Sequence, residues 1–136
     1  MHQVLFGKLL YDNNGNYTYN GLPFVGLACD FYPNGHKQSE VEFVDGHQDG
    51  VAREWYENGQ LKFEGKYLGD GLHGRSREWY PNGLIKDESV CEFGICIESK
   101  QWDETGLITK NYIMHPNDPS YKLLEMKRNL FGPAQS

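Results

Sequence analysis

The chain has 136 residues, a mass of 15.7 kDa and a formal net charge of -6. That is the size of one domain, residues 1–136, and no apolar run approaches the ~20 residues that a membrane-spanning helix needs. The acidic balance excludes nucleic acid as a natural partner, because a binder must supply Lys and Arg to displace counterions from phosphates, and it favours a basic protein.

Seven Phe, nine Tyr and three Trp stand among 16 Gly, which predicts short strands and tight turns rather than helices. The segment Met1 to Leu10 shows neither the charged n-region nor the small-residue cleavage site of a secretory signal, so a soluble, cytoplasmic protein is expected. A first weak turn follows at Tyr11-Asp-Asn-Asn-Gly15. Three clear copies then recur at a spacing of 24 residues: Phe31-Tyr-Pro-Asn-Gly35, Trp55-Tyr-Glu-Asn-Gly59 and Trp79-Tyr-Pro-Asn-Gly83. A last weak copy, Trp102-Asp-Glu-Thr-Gly106, lacks Asn-Gly and predicts a longer, distorted or terminal turn. Five turns predict about ten strands over residues 5–113, with the repeats clear over 26–93.

The turn type follows from its residues. A two-residue Asn-Gly hairpin would place Pro33 or Pro81 where the ladder needs a backbone N–H. A type I turn with Gly in a left-handed bulge position suits every residue, so Gly59 and Gly83 are conformational requirements. Trp55, Tyr56, Trp79 and Tyr80 are the other structural residues of the repeat. In this register Trp55 faces Leu61, Glu54 faces Lys62 and Arg53 faces Phe63. Val51, Trp55, Leu61 and Phe63 then share one face, while Glu54–Lys62 and Glu78–Lys86 pair on the other. Gly-rich connections, Asp45 to Gly50 and Gly69 to Gly74, join the hairpins into a twisted antiparallel β-meander; His47 and His73 there read as polar loop residues.

Residues 116–136 form the tail, where Asp118-Pro-Ser opens a C-terminal helix with Tyr121, Leu124 and the stem of Arg128 on one face. This helix is expected on the last hairpins, covering an aromatic face or capping the end strand. The three cysteines, Cys29, Cys91 and Cys96, read as small strand residues in a reducing compartment rather than a disulfide framework.

No catalytic, cofactor or metal pattern emerges. The five histidines show no ligand spacing, Asp45, Asp49 and Asp70 do not match a calcium loop, and nucleophile elbows and phosphate loops are missing. The fold class expected is mainly β, and the function binding rather than catalysis.

The pattern Gly-x-x-x-Glu-Trp-Tyr-x-Asn-Gly-x-Leu/Ile-Lys, from Gly50 to Lys62 and Gly74 to Lys86, resembles the bacterial variant of the MORN repeat. Short proteins of this look include antitoxins and immunity proteins encoded beside secreted toxins, often nucleases. The resemblance therefore implies an immunity protein that neutralises a cognate toxin, with a structural or scaffolding module, acting through sheet edges or at a membrane surface, as the alternative. Six acids against one base between Asp87 and Glu104 single out Glu88, Glu92, Glu98, Asp103 and Glu104 as candidate contacts for a basic nuclease domain. Tyr80 is added as an anchor, since strict alternation places it and Tyr56 beside charge, where the rings serve an interface or brace the turn.

Overall fold

A computed structural model describes residues 2–132; the predicted tail beyond that lies outside the described residues. The strands are β1 (Gln3–Leu5), β2 (Leu10–Tyr11), β3 (Tyr17–Tyr19), β4 (Leu22–Pro23), β5 (Gly26–Phe31), β6 (Lys37–Val44), β7 (His47–Trp55), β8 (Leu61–Leu68), β9 (Gly71–Leu72), β10 (Gly74–Trp79), β11 (Ile85–Glu92), β12 (Ile95–Trp102) and β13 (Ile108–Ile113). One helix, α1 (Pro119–Phe131), follows. The main sheet runs β1-β5-β6-β7-β8-β10-β11-β12-β13 with β9 paired to β8, and β2-β3-β4 form a small second sheet. The meander is antiparallel from β5 onward, whereas β1 joins β5 in parallel, an addition that the repeat pattern does not encode.

The signature turns take the expected form. Gly35, Gly59 and Gly83 have φ of +90°, +92° and +88°, a region that Gly alone enters without steric cost. In each turn the Asn side chain accepts the backbone N–H of the residue after Gly, as Asn58 Oδ1 does from Gln60 at 2.9 Å. The turn after Trp102 has the same length and shape, with Gly106 at +93°, so the expected distortion does not occur. There Asp103 does the capping, its Oδ1 accepting the N–H groups of Thr105 and Leu107 at 2.8 and 3.1 Å. The opposite ends of the hairpins close on two-residue turns, Asp45-Gly46, Gly69-Asp70 and Phe93-Gly94, with positive φ at both residues, the geometry that matches strand twist.

The bulge changes the register beyond the first pair. Trp55 faces Leu61 as expected, but Lys62 is the extra residue, so Glu54 faces Phe63 and Arg53 faces Glu64. Phe63 therefore leaves the Trp55 face, and its ring lies over Gly65, where a Cβ would come within 2.8 Å of Phe63 Cζ. The expected Glu54–Lys62 pair does not form; Lys62 turns instead onto the Tyr56 ring, 5.7 Å from its centroid. Lys86, extra in the next repeat, sits 5.5 Å from the centre of Tyr80 and 3.6 Å from Glu78.

One consequence is a row of alternating charge across five strands: Glu40, Arg53, Glu64, Arg77 and Glu88, each the register partner of the next. Arg53 donates to Glu64 at 2.8 Å and to Glu40 at 3.2 Å, and Arg77 donates to Glu88 at 2.9 Å. In the neighbouring row Ala28, Ala52, Gly65, Ser76, Ser89 and Ser99 are small and buried, with the half-buried Val41 between the two alanines.

Successive repeats are stapled by the signature tyrosine. Tyr32, Tyr56 and Tyr80 donate their hydroxyls to the carbonyls of Trp55, Trp79 and Trp102 at 2.7, 2.6 and 2.8 Å. Each Tyr thus spans one repeat, and the series ends where Asp103 takes the Tyr position. Tyr56→Phe should lower the unfolding free energy by about 1 kcal/mol; an unchanged urea midpoint would mean that the hydroxyl gains nothing over its bond to water.

The apolar core gathers at the amino-terminal end, where Val4, Leu9, Phe24, Ala28 and Phe43 are buried together under the small sheet. At the other end α1 docks through buried Leu124 and through Arg128, which grips Glu92 at 2.8 and 2.5 Å. Leu124 and Arg128 thus lie on the helix face expected from sequence. Asp118 precedes the helix, yet its carboxylate turns back to Tyr112 Oη and the His115 N–H, both at 2.9 Å, rather than capping the first turn. The expectation of three free thiols is overturned: Cys91 and Cys96, register partners on β11 and β12, form a disulfide, and Cys29 alone is free and buried. An odd cysteine count excludes a complete framework, not one local bridge.

Candidate partner-binding surface

The six candidate residues occupy different environments. Glu88 lies inside the charge row, held by Arg75 and Arg77, and the Arg77 hydrogen bond keeps its carboxyl below the usual range. Glu92 is buried against α1, and the bond from Arg128 likewise holds its carboxyl down. Asp103 spends its carboxylate on the last turn, where the Thr105 hydroxyl and the local N–H groups lower it. Glu98 on β12 and Glu104 at the turn tip are exposed and form no ion pair among the described residues.

Tyr80 and Asp103 do come together. They line a shallow groove of about 260 Å³ with Trp102, Glu78, Lys86, Asp87, Gln101 and Thr109. Glu104 borders this region, its carbonyl accepting from Asn82 Nδ2 at 3.1 Å. Glu92 lies at the far end of β11 from it. The candidate acids therefore divide into a turn-end group, Asp103 and Glu104, the strand residues Glu88 and Glu98, and Glu92 at the helix.

A larger open cleft of about 1030 Å³ lies at the opposite end, between the Gly69-Asp70 turn, Phe93 and α1. The sequence reading missed it. His73, read there as a polar loop residue, is 4% exposed; its Nδ1 accepts the Phe93 N–H at 3.0 Å and its ring stands 4.8 Å from that of Phe93. His47 pairs with Asp70 at 2.6 Å across one repeat, and the 23-residue offset, close to the repeat length, was the available signal. Among the described residues no group of three His, Cys, Asp or Glu is placed to hold a metal ion, and no helix is long and apolar enough to cross a membrane.

The model of the MORN repeat variant matches residues 24–45 and 48–68, the hairpins β5–β6 and β7–β8. The chain is 55% identical over 109 residues to the Immunity protein YwqK of Bacillus subtilis (strain 168), covering 80% of this chain and 71% of that relative. The chain belongs to the MORN repeat variant family. Within this family pattern the stapling Tyr, the bulge Gly and the Trp whose carbonyl receives the staple are the turn residues that the structure explains. No solved structure matches the chain.

Proposed function

We propose that this protein is an immunity protein, non-catalytic and cytoplasmic, that binds and neutralises a cognate toxin, with a basic nuclease domain as the target. The similarity to Immunity protein YwqK over 80% of the chain carries this reading. The net charge of -6 supports a basic partner, since complementary charge speeds encounter and rejects wrong partners. The contact surface is the outer part of the last two hairpins, where Glu98 and Glu104 present unneutralised carboxylates and the Tyr80–Trp102–Asp103 groove offers an aromatic edge. Glu88 and Glu92, already bound to arginines, contribute to shape and field more than to direct pairing.

The test is co-expression with a toxin domain taken from a neighbouring gene, with growth as readout, followed by capture on the tagged protein at low and high salt. Rescue of growth and salt-sensitive capture are expected, and Glu98→Lys with Glu104→Lys should weaken capture at least about tenfold through like-charge repulsion. Capture unaffected by the double variant would move the contact surface elsewhere. Recovery of the tagged protein alone would favour the scaffold reading, for which the open β13 edge, with Ile108 53% and Ile113 71% exposed, provides the surface.

A further inference from the structure

The β11–β12 turn is a loop of four residues closed by its own disulfide: Cys91-Glu-Phe-Gly-Ile-Cys96. The residues inside this loop are those that hold the helix. Glu92 receives both bonds from Arg128, the Phe93 carbonyl accepts Lys127 Nζ at 3.1 Å, and the Phe93 ring packs 5.7 Å from that of Phe131. Phe93 is also the one bulky side chain among the described residues with positive φ, +52°, a conformation that large residues leave unless their surroundings hold them there. Those surroundings are His73, α1 and the covalent closure of the loop. Cys91 is fully buried while Cys96 is an exposed residue, so attack from solvent falls on the Cys96 side of the bond.

We propose that the Cys91–Cys96 bond is a redox-sensitive clamp that sets the loop conformation on which α1 docks, and that a dithiol reductant releases it. A thiolate of the dithiol attacks Cys96 Sγ, the S–S bond breaks and its electron pair leaves on Cys91 Sγ, which takes a proton. The second thiolate of the dithiol then displaces Cys96 from the mixed disulfide, and Cys96 is protonated in turn. The protein gains two electrons and two protons as the dithiol becomes its own disulfide. Opening the loop returns conformational freedom to Glu92 and Phe93, and the Arg128, Lys127 and Phe131 contacts weaken together because all three depend on that turn. Release of α1 would also widen the cleft that Lys127 and Phe131 line.

The test needs no variant. The full chain is equilibrated in oxidised glutathione and, separately, in reduced dithiothreitol, its thiols are counted by alkylation in denaturant, and amide hydrogen exchange is followed over residues 119–131. The oxidised protein should yield one free thiol and the reduced protein three; exchange in the helix should rise at least about tenfold on reduction, with β7 and β8 unchanged. Reoxidation should restore protection. Helix exchange equal in the two states overturns the clamp, as does a count of three thiols after equilibration with excess oxidised glutathione. Cys91→Ser with Cys96→Ser should lock the fast-exchanging state in either buffer, whereas Cys29→Ser should keep the response.

Discussion

Phe43→Ala should cost about 3–5 kcal/mol of stability, the largest loss expected of any single truncation in the fold. Phe43 is 1% exposed, and its ring stands 5.3 Å from that of Tyr17, 5.7 Å from Phe24 and 6.1 Å from Phe6. These rings come from β3, the segment before β5 and the short helical turn after β1, so one side chain ties the small sheet to the main one. The backbone nearby is also fixed by Tyr17 N–H to the Gly46 carbonyl at 2.9 Å and Gly46 N–H to the Phe24 carbonyl at 2.8 Å. The surrounding elements therefore cannot collapse into the vacated space, which is the condition for a large cavity penalty. Domains of this kind are stable by about 5–15 kcal/mol in total, so the variant should sit near its unfolding threshold. Phe63→Ala is the comparison. Its ring is half-buried over Gly65 on the open sheet, and its loss should cost well under half as much. Urea denaturation of both variants decides; equal costs would mean that the repeats, not the amino-terminal layer, hold the principal core.

That contrast marks where sequence reading succeeds. The signature turns were legible because the Gly, Asn and Pro requirements at residues 31–35, 55–59 and 79–83 are local and repeated three times. The hairpins, their number and the helix face carrying Leu124 and Arg128 followed from periodicity. The face of Phe63 and the cross-strand partner of Glu54 did not, because a single bulged residue, Lys62, inverts every side chain beyond it on β8, and simple alternation cannot register one inserted residue. The parallel pairing of β1 with β5 and the aromatic cluster around Phe43 rest on contacts between segments that share no repeat pattern. The bridge between Cys91 and Cys96 was visible only as two cysteines flanking a short turn, and the parity argument applied to the whole chain hid it.

The candidate surface was legible as composition but not as geometry. Glu88, Glu92, Glu98, Asp103 and Glu104 are alike in sequence, whereas the fold assigns Glu88 to an arginine row, Asp103 to a turn and Glu92 to the helix. A run of acids records charge without recording which of them already have partners. Tyr80 shows the same ambiguity resolved in part: its hydroxyl is committed to Trp102, and its ring still lines the groove.

Arg128→Ala should destabilise the protein by about 2 kcal/mol and should change how stability depends on pH. Glu92 has only 8% of its side chain exposed, so removing its partner leaves a carboxylate that water barely reaches; since Arg128 is itself 38% exposed, solvent screening places the cost below the 3–5 kcal/mol seen for fully buried pairs. The Arg128 hydrogen bond depresses the Glu92 carboxyl in the folded state from its ordinary value of 4.5, with burial opposing and His73 assisting. A depressed folded value means that the unfolded chain takes up the proton first as pH falls. The pair's contribution is therefore complete above the ordinary carboxylate range and is lost as pH drops from there through the lowered folded value. In Arg128→Ala burial acts without its counterweight, so the Glu92 carboxyl should rise, and the stability difference between wild type and variant should be full near neutrality and shrink toward acid pH. Denaturant midpoints of both proteins, collected from neutral to acid pH, measure this directly. A difference that stays constant across that range would assign the loss to the packing of the Arg128 stem rather than to the ion pair, and Arg128→Met, which keeps apolar bulk without charge, would then restore most of it.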